Sequence, residues 1–424
     1  MLNLIYQAER KYYTLVVYLT ELNNIFKSID NSRSKIIDLL LKLIRFDTSN
    51  PPGYTTEIVE YIREFYDGIG FRTRVIEGFR GKPNLIVDNN VEGDTLFIYN
   101  GHMDVVPATS VDKWICEPFK GCVSEGFIYG RGAADMKSSL AAIMYASKAI
   151  VESGYSFKRR IELHFVADEE VIGLYGTKYL VEKGFVKGRY GLVGEESVKN
   201  NVIYIRPAVR GGVWIKIKSY GRLGHASNPK SGVNAVLNMA RVLDYLDREF
   251  KLDKIYSHPI LPPPSISPGT VIKGGVKENI IPDYCESISD IRIVPGMDSD
   301  IVLNHINNLI SELKRIYPKI NIELEVVKSI EPAEIPLDSP IINLVSNAVY
   351  EVSGYKPNFL GGTGCNDATY LINDAGVEAI SGLGPGDVAL GNIHGINERV
   401  SIDVLVKFTK IYASTLIKVD NLNG

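Results

Sequence analysis

Cysteine is scarce in this 424-residue chain: Cys116, Cys122, Cys285 and Cys365 are the only four, and no Cys-x-x-Cys spacing occurs. That scarcity excludes a disulfide-stapled scaffold and fits a reducing compartment. Cys116 and Cys122 could pair, but the composition favours two free thiols. Charge of one sign is missing as well. Lys and Arg number 47 against 50 Asp and Glu, interspersed to a net charge of −3, so there is no basic field to collect phosphates and no acidic tail. Nucleic acid is therefore excluded as a partner. Long apolar runs are absent too. The stretch Tyr12-Tyr13-Thr14-Leu15-Val16-Val17-Tyr18-Leu19, between Lys11 and Glu21, is too short to span a bilayer. It lacks a small-residue cleavage site and follows Glu9 and Arg10, which speaks against a secretory signal. It reads as an extra helix packed on the body of a cytoplasmic protein with no membrane partner. No internal repeat or low-complexity segment is found.

What is there is ordinary globular material, 45% hydrophobic and 23% charged, long enough for two or three domains. After an N-terminal extension (1–30), a helical period runs through Ile36, Ile37, Leu40, Leu43 and Ile44 until Ser49-Asn50-Pro51-Pro52-Gly53 stops it. A second helix follows at 55–66. Short apolar runs at 84–87, 95–99, 161–167 and 190–193 then alternate with helices at 138–152 and 176–183, which argues a layered α/β domain with a mixed, largely parallel sheet. From about Arg210 the order changes to strand 213–218, helix 234–251, strands 270–273 and 286–293, helix 299–317 and strand 320–327. This is the β-α-β-β-α-β unit of ferredoxin-like folds. The α/β pattern resumes with a helix at 340–352, a strand at 378–383 and a helix at 402–417 capped by Ser401. The expected organisation is thus a catalytic domain, 31–209 and 328–424, interrupted by an inserted domain, 210–327.

In open α/β sheets ligands gather outside the carboxyl ends of the strands. The run 95–99 leads to Asn100-Gly101-His102-Met103-Asp104, in which His102 and Asp104 at i and i+2 project to one face, so that Asp104 can orient the imidazole. The run 161–167 leads to Asp168-Glu169-Glu170, 190–193 to Gly194-Glu195-Glu196, and 378–383 to Gly384-Pro385-Gly386-Asp387 and then His394. The tract 129–137 adds Asp135 just before a helix. Carboxylates at one rim raise one another's pKa unless cations stand among them. Two divalent ions would relieve that, and two histidines with three carboxylates suit Zn²⁺, Co²⁺ or Mn²⁺. A bridging carboxylate between ions about 3.5–4 Å apart leaves room for an acidified water, and a spare glutamate could take its proton.

These motifs in combination, Gly-His-Met-Asp-Val-Val-Pro, Tyr-Gly-Arg-Gly-Ala-Ala-Asp-Met-Lys, Asp-Glu-Glu, Gly-His-Ala-Ser-Asn-Pro, and Gly-Pro-Gly followed by His-Gly-Ile-Asn-Glu, make the chain resemble a known family. It is the metallopeptidase and deacylase family of acetylornithine deacetylase, succinyl-diaminopimelate desuccinylase, aminoacylase and carboxypeptidase G. The resemblance runs from about Ser34 to the C-terminus. It implies two divalent ions per chain, first of all Zn²⁺, one held by His102 and Glu195, the other by Glu170 and His394, with Asp135 bridging. Glu169 would be the general base for attack of an ion-activated water on an amide, and Asp104 would steady His102. His225 of the inserted domain would reach a partner subunit's site in a homodimer and stabilise the oxyanion. Arg292, in Asp290-Ile291-Arg292, would grip a substrate carboxylate, with help from Asn279.

The implied activity is removal of an acyl group from an N-acyl amino acid. The alternatives are a dipeptidase or carboxypeptidase of the same family, or a non-catalytic metal-binding homologue. Two departures stand out. Gly194-Glu195-Glu196-Ser197 replaces the usual Gly-Glu-Pro-Thr or Gly-Glu-Pro-Ser, making Glu196 a rival ligand. Gly362-Thr363-Gly364-Cys365-Asn366-Asp367 replaces Gly-Thr-Ser-Asp or Thr-Asp in a substrate-facing loop. Of the other histidines, His164 reads as a packed strand residue, and His258 and His305 as loop and helix-surface residues.

Overall fold

The computed structural model describes residues 20–422, so the 12–19 run and the helix expected there lie outside the described residues. Residues 20–31 are helical, and their apolar period buries Leu22, Ile25 and Ile29 in the main core. Among the described residues, no helix is long and apolar enough to cross a membrane.

The chain then runs through α1 (Arg33–Ile44), α2 (Thr56–Asp67), β1 (Arg72–Phe79), β2 (Lys82–Asp88), β3 (Thr95–His102), β4 (Cys122–Ser124), β5 (Phe127–Tyr129) and α3 (Lys137–Glu152). It continues with β6 (Arg160–Val166), α4 (Thr177–Glu182), β7 (Tyr190–Val193), β8 (Glu196–Lys199) and β9 (Val202–Ile205). A second unit follows: β10 (Gly211–Tyr220), β11 (Gly224–His225), α5 (Ala235–Glu249), β12 (Ser265–Gly274), β13 (Ile280–Ile281), β14 (Tyr284–Ile293), α6 (Ser299–Ile316) and β15 (Asn321–Ile330). The first unit is completed by α7 (Pro340–Ser353), β16 (Asn358–Phe359), β17 (Glu378–Ile380), β18 (Gly384–Asp387), β19 (Arg399–Ser401) and α8 (Ile402–Asp420).

The first unit is built on a six-stranded sheet in the order β1-β2-β6-β3-β7-β17, in which only β2 runs against the others. Its central strands are buried on both faces, as a near-continuous apolar run such as Leu96-Phe97-Ile98-Tyr99 requires. Helix α3 is apolar or small nearly all round and buries thirteen of its sixteen residues, the mark of a helix with protein on every side. It packs against α8, α1 and β3. Strands β8, β9, β16 and β18 form a second, four-stranded sheet that the apolar-run pattern did not reveal. Ser401 does occupy the position before α8 but makes no side-chain cap hydrogen bond.

The second unit comprises Ala208–Glu334 and also Gly361–Thr369, a short return that the sequence pattern did not disclose. Its sheet, ordered β12-β14-β10-β15, is antiparallel throughout, and α5 and α6 pack on it. Alternation along β10 sends Val213, Ile215 and Ile217 to the helix-covered core. Both helices are capped by side chains, Asn234 accepting from the Leu237 N–H and Asp298 from the Ile301 N–H. At the entry to this unit Ala208 and Val209 pair antiparallel with Glu334 and Ala333 at its exit.

The free-thiol expectation fails at one point: Cys116 and Cys122 form a disulfide, with Cα atoms 6.2 Å apart, and only Cys285 and Cys365 are free. Six residues of separation brought the two within bonding reach, which an argument from overall scarcity could not register. Alkylation of the denatured, unreduced protein should therefore label Cys285 and Cys365 alone, and reduction should raise the count to four. Four labelled thiols without reduction would contradict the bond.

Candidate metal centre

Strands β6, β3 and β7 are adjacent and parallel, with His102 opposite Val166 and Asn100 opposite Val193, so the residues that follow them emerge at one rim. His102 ends β3, Glu169 and Glu170 lie in the turn after β6, and Glu195 follows β7. Gly194 before it is required by space, because a Cβ there would fall 2.2 Å from Ser139 Oγ and 2.4 Å from the Tyr99 hydroxyl. Asp135 comes from the loop that opens α3 and His394 from the loop after β18.

Asp135 divides its carboxylate between two neighbourhoods. Its Oδ1 is 2.9 Å from His102 Nε2, which is itself 3.7 Å from Glu195 Oε1. Its Oδ2 is 3.1 Å from His394 Nε2, which is itself 3.3 Å from Glu170 Oε2. A Glu169 oxygen lies within 4.8 Å of ligand atoms of His102 and Glu195. The structure thus brings together His102, Asp135, Glu169, Glu170, Glu195 and His394. Glu196, the rival, also lies within reach of Asp135 and Glu195, but its Oε1 already meets the Arg206 guanidinium at 3.2 Å.

Asp104 acts differently from the expectation. His102 Nδ1–H donates to the backbone carbonyl of Asp104 at 2.8 Å, whereas the nearer carboxylate oxygen stands at 3.7 Å. That bond fixes the tautomer and leaves Nε2 for the site. The buried Asp104 carboxylate instead accepts from the Glu169 and Glu170 N–H groups at 3.1 and 3.2 Å and from Asn50 Nδ2 at 2.8 Å. It therefore steadies the turn carrying both glutamates. Asn50 also reaches Asp168, which pairs with Lys82. From the sequence, Asn50 is legible only as part of a helix stop. Glu398 stands at the end of the 394–398 motif with no role that its position discloses. It is buried and accepts from Arg131 and from the backbone N–H of Asp135.

The electrostatics describe a place short of positive charge. Burial opposes a charged His102, yet the Asp135 hydrogen bond and the charges of Asp135, Glu169 and Glu195 raise its pKa well above the usual value. Hydrogen bonds donated to Asp135 and Glu170 push the pKa of His394 up to about 11. Burial, Asp135 and Glu196 hold Glu195 well above the carboxylate range, and burial with Asp135 raises Glu170. On protein charges alone, protons would stand in for cations. Imidazole nitrogen and carboxylate oxygen in this number are donors suited to divalent ions, so the residues fit the two-ion expectation.

In the second unit, His225 lies on β11 opposite Ile280 of β13, and the Asn279 carbonyl accepts from the Ala226 N–H at 3.0 Å, so His225 and Asn279 are neighbours. His225 Nδ1 accepts from the Ser227 N–H at 3.1 Å, which puts the proton of the neutral ring on Nε2. Arg292 is not free: its guanidinium pairs with both Asp290 oxygens, at 2.7 and 2.9 Å, and points Nη1 toward Cys365.

Histidines and carboxylates gathered at the carboxyl rim of a parallel sheet, with a further glutamate beside them, define a metal-dependent hydrolase. The chain belongs to peptidase family M20/M25/M40, whose sequence model matches residues 98–418, and it is a hydrolase of amide bonds. It is 29% identical over 392 residues to succinyl-diaminopimelate desuccinylase of Hydrogenovibrio crunogenus, covering 91% of this chain and 98% of that protein. Its fold is similar to that of Dug1p, a dipeptidase of Saccharomyces cerevisiae, with a TM-score of 0.77, 18% identity, and coverage of 95% and 99% of the two chains. It is also similar to a Bacillus subtilis protein described as a dinuclear metal binding peptidase of the M20 family, with a TM-score of 0.69, 13% identity, and coverage of 92% and 98%.

Because His102 and His394 favour the charged form on protein charges alone, while a metal ligand must be neutral at the bonding nitrogen, ion binding should expel protons and tighten as pH rises. Calorimetry of Zn²⁺ binding near pH 7 in two buffers of different ionisation enthalpy should give different heats. Equal heats would contradict the charge picture.

Proposed function

We propose that the protein is a two-metal amidohydrolase that removes the acyl group from an N-acyl amino acid. The observation that carries this reading is the division of the Asp135 carboxylate between the His102–Glu195 and His394–Glu170 neighbourhoods. On this reading His102 and Glu195 hold one ion, His394 and Glu170 the other, and Asp135 serves both. Zn²⁺ is the first choice of metal, with Co²⁺ or Mn²⁺ compatible with the same donors. Divalent ions bound there would polarise the amide carbonyl and acidify a water.

The remaining chemistry belongs to the chain. A Glu169 carboxylate oxygen takes the proton of the attacking water and returns it to the leaving nitrogen, while Asp104 keeps the Glu169-Glu170 turn in place through its two backbone hydrogen bonds. His225, whose neutral ring carries its hydrogen on Nε2, donates a hydrogen bond to the oxyanion in a partner subunit's site. The second unit is the dimerisation domain in this reading. It is supported by edge strand β12 and the residues after it, which expose Val271, Ile272 and Val276, a combination that natural proteins normally cover.

A substrate bearing a free carboxylate is favoured by the charge around Arg292. Arg210 and Lys328 are both lowered by burial and by the charge of Arg292, and Asp290 is the carboxylate acting on each. Asn279 lies in the same unit beside His225. The likeness to Dug1p supports a dipeptidase as the second reading. A hydrolysis screen with Zn²⁺, Co²⁺ and Mn²⁺ should find N-acetyl or N-succinyl amino acids cleaved faster than dipeptides, and the reverse order would favour the dipeptidase.

Glu169→Ala should still bind two ions but lose turnover by about 10²–10⁴-fold, the range for a general base. Mixing Glu169→Ala and His225→Ala chains should restore activity, since one composite site then has both groups. An unchanged kcat in the first variant removes Glu169 from its role, and a mixture as inactive as its parents confines His225 to its own chain.

A further inference from the structure

The two histidines of the centre are held by different means. His102 ends a central strand, is 2% exposed, and has its second ring nitrogen bonded to the Asp104 carbonyl. His394 sits on a loop with φ 61, its side chain is 53% exposed, and the hydrogen bond and ion pairs of its ring run through Nε2 alone. A metal-binding imidazole is normally oriented through its other nitrogen. For His394 the orientation has to come from the backbone.

That backbone is tied by a buried ion pair. Arg131 Nη1 meets the Glu398 carboxylate at 2.5 Å, and Arg131 Nη2 donates to the His394 carbonyl at 3.3 Å. Glu398 also accepts from the N–H groups of Gly132, Ala134 and Asp135 at 3.1, 2.8 and 3.0 Å. Both side chains of the pair are 1% exposed. One carboxylate and one guanidinium thus fasten the Asp135 loop to the His394 loop, and removing either partner leaves the other charge buried without its counter-ion.

We infer that the Arg131–Glu398 pair is a positioning device for the His394 half of the centre, and that it sets the affinity of the ion position formed by His394, Glu170 and Asp135 separately from that formed by His102 and Glu195. The inference rests on the two-ion reading above. Loosening the pair weakens Asp135 for both positions. The His102 side keeps two ligands anchored to the sheet, while the His394 side loses the support of two of its three.

The test is competition between the purified full-length protein and a chromophoric chelator for Co²⁺, with the cobalt absorption spectrum followed through one and two equivalents. In Glu398→Gln, which keeps the shape and removes the charge, one ion should bind within about threefold of wild type and the other about 10- to 100-fold more weakly. Arg131→Lys should show the same inequality, and it supplies the comparison should Glu398→Gln fail to fold by circular dichroism. Equal weakening of both ions, or no weakening of either, overturns the inference while leaving the two-ion reading intact. A wild-type protein that binds no ion overturns the reading itself.

Discussion

The mutual repulsion of carboxylates crowded on one sheet rim is the constraint around which the catalytic unit is arranged. Asp135, Glu170 and Glu195 are all buried or nearly so in side chain, and isolated buried charges of that kind cost several kcal/mol each. The structure tolerates them because imidazoles stand between them and because they share the need for cations. A central parallel sheet with wholly buried strands supplies the rigidity to hold such a group together.

Around this crowd lies a ring of neutralised support. The Asp104 carboxylate is spent on the backbone of Glu169-Glu170 and on Asn50, Asp168 is matched by Lys82, and Glu398 by Arg131. Each of these buried acids has its own donors, so none competes with the centre for cations. The carboxylates whose ion pairs are with imidazoles alone are concentrated at the rim itself. The arrangement resembles the logic of other metal sites, in which outer partners orient ligands without joining them.

Much of this cluster was legible in the sequence because its side chains follow strands, and apolar runs reveal strands. His102, Glu169, Glu170 and Glu195 each stand just past such a run, and Asp135 opens a helix whose start is marked. The layered α/β unit and the β-α-β-β-α-β order of the second unit were legible for the same reason: both depend on local periodicity. What was not legible required tertiary geometry. Spacing alone could not tell whether Asp104 serves His102 by carboxylate or by carbonyl, and the carbonyl does it. Asn50 and Glu398 are brought to the site by chain reversals that leave no periodic trace. The Gly361–Thr369 return lacks a long apolar run, and the Cys116–Cys122 bond depends on the path of a loop. Arg292 proved to be paired with Asp290, an ion pair between residues two apart on one strand.

The pairing of Ala208 and Val209 with Glu334 and Ala333 bears on how the chain reaches its native state. Residues that meet at the centre are separated by nearly the whole intervening sequence, and closing so long a loop is entropically costly and slow. Once the segment Ala208–Glu334 has folded on its own contacts, its two ends are already side by side. To the rest of the chain the excursion then counts as a short turn. A late segment such as the His394 loop then has to find the early strand of His102 across a smaller conformational space. The pairing thereby shortens the loop that the rest of the chain has to close.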